Sequence, residues 1–233
     1  VIGELATKYD VVVMEDLAYF CMDYRHDFGK PYDPPFPPTV ARYTDNYILM
    51  LSASKIFSYA GQRMAMLCIS DSLFDRLYPA LAQRYNDSGV FGETLIASIL
   101  YMITSGCTAS TRYAYAEMLR LAVEGDLDFI ADTRDYAVRA EKMKKIFTDN
   151  GFHIVYSKDG VEDVSDGFFY TVGYKGLTSA ELMKELMLTG ICSISLSLTG
   201  SVQDGVRICV SQLNRPEQFE MLEQRLRLFT EIR

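Results

Sequence analysis

Histidine is almost missing from this chain. It has two, His26 and His153, far apart and without metal-ligand spacing. Neither a zinc site nor a Ser-His-Asp mechanism is expected. No two cysteines stand in a CxxC pair. The five present (Cys21, Cys68, Cys107, Cys192 and Cys209) are scattered and odd in number, which fits reduced, packed thiols in a cytoplasmic protein. Clusters of lysine and arginine are missing too, and the net charge is −8, so nucleic acid is not an expected partner. No apolar run is long enough to cross a bilayer and no signal-peptide pattern opens the chain, so no membrane association is expected. Repeats and low-complexity tracts are absent.

What is present describes an ordinary globular protein. The 233 residues are 49% hydrophobic and 23% charged, enough for one large domain or two small ones. The chain opens on Val1, in what reads as the tail of a helix (Ile2 to Lys8), and is therefore expected to be a fragment or a processed product.

One stretch carries most of the chemistry. Ser52-Ala53-Ser54-Lys55 follows the apolar run Tyr47-Ile48-Leu49-Met50-Leu51, which reads as a buried strand, and Gly61 and Arg63 come shortly after. A buried ammonium is costly unless it is paired or chemically used. Two hydroxyls, a close-approach glycine and a guanidinium around it make a phosphate cradle into which the lysine reaches.

Ser-x-Ser-Lys followed by Gly-x-Arg, with the arginine eight positions after the lysine (63 − 55), resembles the class I/II, fold type I pyridoxal-phosphate aminotransferases. In them the lysine carries the cofactor as a Schiff base and the arginine holds its phosphate. The resemblance covers essentially the whole chain but only the C-terminal part of the family's length. The upstream phosphate loop, the aromatic residue stacked on the cofactor ring and the asparagine at its phenolic oxygen lie outside it. Where the family usually has glycine two residues past the arginine, Ala65 stands here.

The β-branched run Val11-Val12-Val13-Met14 reads as a buried parallel strand, and its carboxyl end delivers Glu15, Asp16 and Tyr19. In open α/β sheets ligands bind beyond the carboxyl ends of strands. Asp16 and Tyr19 match the family's Asp-x-Ala/Pro-Tyr motif. The resemblance gives Asp16 the pyridine nitrogen of the cofactor, Tyr19 its ring oxygen, and Ser52 and Arg63 its phosphate. Residues 20–46 hold five of the seven prolines and read as a long irregular excursion.

Further helices are expected from Asp71 (as the cap) to Leu77, with Pro79 disturbing its continuation. Others are expected over Glu93–Thr104, Thr111–Val123 and Asp128–Asn150, the last stopped by Gly151 and with a solvated charged face (Arg139, Glu141, Lys142, Lys144, Lys145). Beyond about residue 126 the pattern becomes α+β. Strands are expected at Phe152–Tyr156, Phe168–Tyr174, Cys192–Leu198 and Val206–Ser211, with turns at Lys158-Asp159-Gly160 and Asp166-Gly167. A capping box at Thr178 and Glu181 opens a helix ending near Gly190, and Pro216 opens a terminal one.

Arg207 stands alone in the apolar strand Val206-Arg207-Ile208-Cys209-Val210, where a guanidinium needs an anionic partner. The family's equivalent arginine clamps the substrate α-carboxylate, a contact of roughly 1.5–3 kcal/mol. The fold class expected is thus α/β: residues 1–125 as the C-terminal part of a large pyridoxal-phosphate-binding domain, and 126–233 as a smaller α+β domain. The resemblance implies amino-group transfer between an amino acid and a 2-oxo acid, with Lys55 catalytic, in a homodimer. The alternatives are a carbon–sulfur lyase or cyclopropane-carboxylate-synthase-like reaction on the same cofactor, and a non-catalytic regulatory module. Tyr19 favours the aminotransferase branch, since the lyases and 2-oxoamine synthases commonly have histidine there.

Overall fold

A computed structural model describes residues 1–165 and 168–233; the turn expected at Asp166-Gly167 lies outside the described residues. Its contacts divide the chain into two compact units, Val1–Cys21 with Phe28–Ile130 and Met22–Asp27 with Ala131–Arg233.

The first unit opens with α1 (Ile2–Lys8) and β1 (Val13–Leu17). β1 begins two residues later than Val11 and runs on through Asp16. Nor is the run Val11–Met14 buried: Val11 and Met14 are 54% and 62% exposed, at one of the two edges of the sheet. Next come β2 (Tyr47–Ser52), α2 (Ala53–Ile56) and β3 (Ala65–Ile69). β2 lies between the other two, parallel to β1 and antiparallel to β3.

The proline-rich excursion is irregular apart from a 3-10 turn at Val40–Arg42. The Val40 N–H donates to the Glu15 carboxylate at 2.7 Å, which ties the far end of the excursion to β1. α1 packs close against that turn. A Cβ on Gly3 would sit 2.5 Å from the Tyr43 Cβ, so the approach requires glycine.

α3 (Asp71–Phe74) is shorter than expected and its cap is Ser70, whose Oγ accepts the Leu73 N–H at 3.1 Å. Asp71 sits in the first turn, where its charge meets the helix dipole favourably. Pro79 interrupts nothing, because it opens α4 (Pro79–Tyr85) from the first-turn position that tolerates it. α5 (Phe91–Glu93), a π-helical stretch at Thr94–Leu100 and α6 (Tyr101–Thr104) follow one another, and then α7 (Ala109–Glu124) stops at left-handed Gly125. α8 (Phe129–Asp149) belongs to the second unit except for its first two residues.

The second unit has the antiparallel order β4-β7-β9-β8, from β4 (Phe152–Ile154), β7 (Phe169–Tyr174), β8 (Ile194–Ser195) and β9 (Val206–Cys209). A small hairpin of β5 (Lys158–Asp159) and β6 (Glu162–Asp163) stands apart from it. α9 (Ser179–Leu188) carries the expected capping box, and α10 (Pro216–Glu231) closes the chain. The core joins Met143 and Phe147 of α8, Leu182 and Leu186 of α9, and Leu226 and Phe229 of α10 to Val172, Val206 and Ile208 of the sheet. Each such side chain contributes roughly 1.5–3 kcal/mol.

Two expectations fail here. The strand foreseen at Cys192–Leu198 is cut to β8, because Leu196 turns into the core (1% exposed) and starts a 3-10 turn. The charged face of α8 is not merely solvated either. Arg139 is half-buried over Tyr136 and pairs with Asp135. Lys142 lies 4.1 Å from the Phe219 ring centre and Lys144 5.8 Å from that of Tyr170. In all three the charged end itself lies over an aromatic ring.

Candidate active site

The geometry of the first unit's sheet gathers the sequence motifs. β1 and β2 are parallel, so their carboxyl ends lie at one end of the sheet, and the antiparallel β3 begins there. Asp16 pairs with Met50 and Leu17 with Leu51, one residue before Ser52, and Ser52 pairs with Ala65, two residues after Arg63. Asp16, Tyr19, Ser52, Lys55 and Arg63 therefore share that end.

Each is held by local structure. Ser52 caps α2, its Oγ accepting the Ser54 N–H at 3.2 Å. The turn carrying Lys55 is pinned by fully buried Ala53, which packs in a small cluster with Met64 and Tyr115. Phe57 braces it further, its ring 5.6 Å from that of Tyr115 and 5.1 Å from that of Phe129. Lys55 itself is half-buried. Asp16 is exposed, and its Oδ1 accepts the Ala18 N–H at 3.0 Å, which shapes the turn into Tyr19.

Arg63 adopts left-handed φ 56° and ψ 49°, and its Nη1 donates to the Ala60 carbonyl at 2.9 Å. A non-glycine residue there costs roughly 1–3 kcal/mol, and Arg63 is one of seven described non-glycine residues with positive φ. The close approach expected of Gly61 is not made by the chain's own atoms, since a Cβ there would meet nothing within 4 Å.

Arg207 stands on β9 in the second unit, opposite Thr171 of β7 and Ile194 of β8. Its guanidinium carbon lies 4.1 Å from the centre of the Phe169 ring. Its Nε is buried without a hydrogen-bond partner, and among the described residues it has no carboxylate partner. Phe169 is the residue that sequence reasoning missed. Only the strand register reveals that it and Arg207 share a face of the sheet. No group of three or more His, Cys, Asp or Glu fit to hold a metal ion occurs among the described residues.

The model of one protein family, Aminotransferase class I and II, matches residues 2–225. The chain belongs to the class I and II aminotransferases. Solved structures of the same fold include aspartate aminotransferase from Thermus thermophilus (a double mutant), 16% identical with a TM-score of 0.68, covering 100% of this chain and 51% of that one. An aromatic aminotransferase from Pyrococcus horikoshii OT3 is 18% identical with a TM-score of 0.66, over 99% and 54% of the two chains. N-succinyldiaminopimelate aminotransferase from Mycobacterium tuberculosis is 20% identical with a TM-score of 0.64, over 98% and 52%. The chain thus spans about half the length of these structures and has the fold of that part. No curated protein matches it.

Class I and II aminotransferases generally depend on pyridoxal phosphate, and the donor set at the sheet end fits that group. An amine (Lys55) suits its carbonyl carbon and a carboxylate (Asp16) its basic ring nitrogen. A guanidinium with a hydroxyl (Arg63, Ser52) suits its phosphate.

Proposed function

We propose that this chain is the C-terminal part of a pyridoxal-phosphate-dependent aminotransferase that moves an amino group between an amino acid and a 2-oxo acid. One observation carries the reading: the strand register that brings Asp16, Ser52, Lys55 and Arg63 to one end of one sheet. Residues 1–125 form part of the cofactor-binding domain and 126–233 the smaller domain. The protein works in the cytoplasm as a homodimer; its five free cysteines are consistent with a reducing compartment.

When bound, the cofactor supplies an electron sink for the bond broken at the substrate Cα. Lys55 would hold it through its amine and, as a general base and acid, would move the proton at the substrate Cα. Asp16 would keep the proton on the ring nitrogen by its negative charge, and the Tyr19 hydroxyl would bond the ring oxygen. Ser52 and Arg63 would hold the phosphate. Arg207 binds the substrate α-carboxylate through two parallel hydrogen bonds and so fixes the orientation of the Cα–H bond.

The test is a visible absorption titration with pyridoxal phosphate, followed by borohydride reduction and peptide mapping, on wild type and Lys55→Ala. The expected outcome is a bound-cofactor band lost in the variant, with the reduced adduct on Lys55. An adduct on a different lysine, or a band that survives Lys55→Ala, overturns the assignment.

A further inference from the structure

Arg207 is held in an unusual way for a strand arginine. Its Nε is buried and unpartnered, its Nη atoms have no partner among the described residues, and its guanidinium lies 4.1 Å from the Phe169 ring centre. No hydrogen bond fixes the fork. What meets it instead is an aromatic face. Phe169 is two residues before Thr171, the cross-strand partner of Arg207, so both side chains project from the same side of the sheet. The ring is itself braced: it meets Phe168 edge-on with centroids 5.4 Å apart, and Phe168 lies 4.9 Å from Tyr136 of α8.

We infer that Phe169 is the positioning residue for Arg207, its ring holding the guanidinium plane so that the Nη edge stays ready for a carboxylate. The physical reason is the ring quadrupole. A cation over an aromatic face is attracted without any donor being used up, so the guanidinium is oriented while its terminal N–H groups remain available. A carboxylate bound there then costs less ordering than one captured by a freely rotating arginine. A carboxylate in place of the ring would fix the fork equally well but would occupy the charge the ligand needs. The inference rests on the carboxylate role proposed for Arg207, and its test separates the two.

The test follows the Arg207 Nε–Hε signal by nitrogen-15 NMR in the 233-residue chain, assigned with Arg207→Lys. It is recorded for wild type, Phe169→Leu and Phe169→Tyr, and each is titrated with acetate. The wild-type signal is expected to carry an upfield ring-current shift that Phe169→Leu removes and Phe169→Tyr restores. Acetate binding should weaken about three- to ten-fold in Phe169→Leu, the range expected for losing a partly buried cation–π contact. A wild-type signal at the ordinary arginine position, or one unmoved by Phe169→Leu, overturns the inference whatever acetate does. Shift and rescue together with acetate binding no tighter than in Arg207→Lys uphold the positioning and instead overturn the carboxylate role.

Discussion

At the scale of single residues, burial and hydrogen bonding decide which groups react. Burial pushes the Cys21 thiol up to about 12 and raises that of Cys68 as well, whereas Cys107 and Cys192 are exposed. The thiolate is the reacting species. At pH 8, Cys107 and Cys192 should be alkylated first and Cys21 only after unfolding, which mass spectrometry of peptides from native and denatured protein will show. Early labelling of Cys21 in the native chain contradicts its burial. Glu181 gives a pH prediction. The Thr178 hydroxyl, then the Thr178 backbone N–H, hold its carboxyl below the ordinary value of 4.5. A depressed folded value means that the stabilisation is complete above the unfolded value and disappears as pH falls through the folded one. Wild type should therefore exceed Glu181→Gln in thermal midpoint at pH 7, and the gap should close as pH drops below 4.5. A gap that stays constant with pH rules out the charge as its source.

At the scale of elements, the second unit depends on helices packed on an antiparallel sheet. Phe147 of α8 is fully buried, with its ring 5.1 Å from Phe152 and 6.2 Å from Tyr170. Phe147→Ala should cost about 3–5 kcal/mol through the cavity it leaves, read as a lower denaturant midpoint with an unchanged slope. A loss near zero would mean that the sheet and α8 are not packed as described.

The elements that were legible in the sequence are those fixed by local chemistry. Gly151 ends α8, Thr178 and Glu181 box the start of α9, and Pro216 opens α10, each within a single turn of chain. Elements fixed by tertiary partners were not. β8 is short because Leu196 finds a place in the core, and the π-helical turn at Thr94–Leu100 leaves no mark on apolar spacing. Ser70 and Asp71 are both good caps, and only the hydrogen bond to Leu73 chooses between them. The same division runs through the site. Lys55, Ser52 and Arg63 lie in one short motif, and Asp16 and Tyr19 in another. The pairing of Phe169 with Arg207 depends on the register of two strands 38 residues apart (207 − 169), which no local pattern encodes.

At the scale of the whole molecule, the open β1 edge of the first sheet governs behaviour in solution. β1 is one of its two edge strands, β3 the other. Beside β1 lies a cavity of about 630 Å³ lined by Val1, Ile2, Val13, Met14, Val40 and Tyr43 among others. Val1, Ile2, Val11 and Met14 are all more than half exposed. An edge with free backbone groups and apolar side chains is a template for another strand, and a charged residue on the strand is the usual guard against it; of the two carboxylates on β1, Glu15 is engaged by the Val40 N–H and Asp16 by the Ala18 N–H. The 233-residue chain should therefore self-associate as its concentration rises, with Met14→Lys lowering the association. Glu15 is the wrong position for this substitution, because its carboxylate holds the Val40 N–H. Light scattering coupled to size exclusion over a concentration series will compare wild type and Met14→Lys, and circular dichroism will check that both keep the same fold. If Met14→Lys associates as strongly as wild type, the contact lies on another surface, and the exposed side chains of α6, Tyr101, Met102 and Ile103, become the next residues to change.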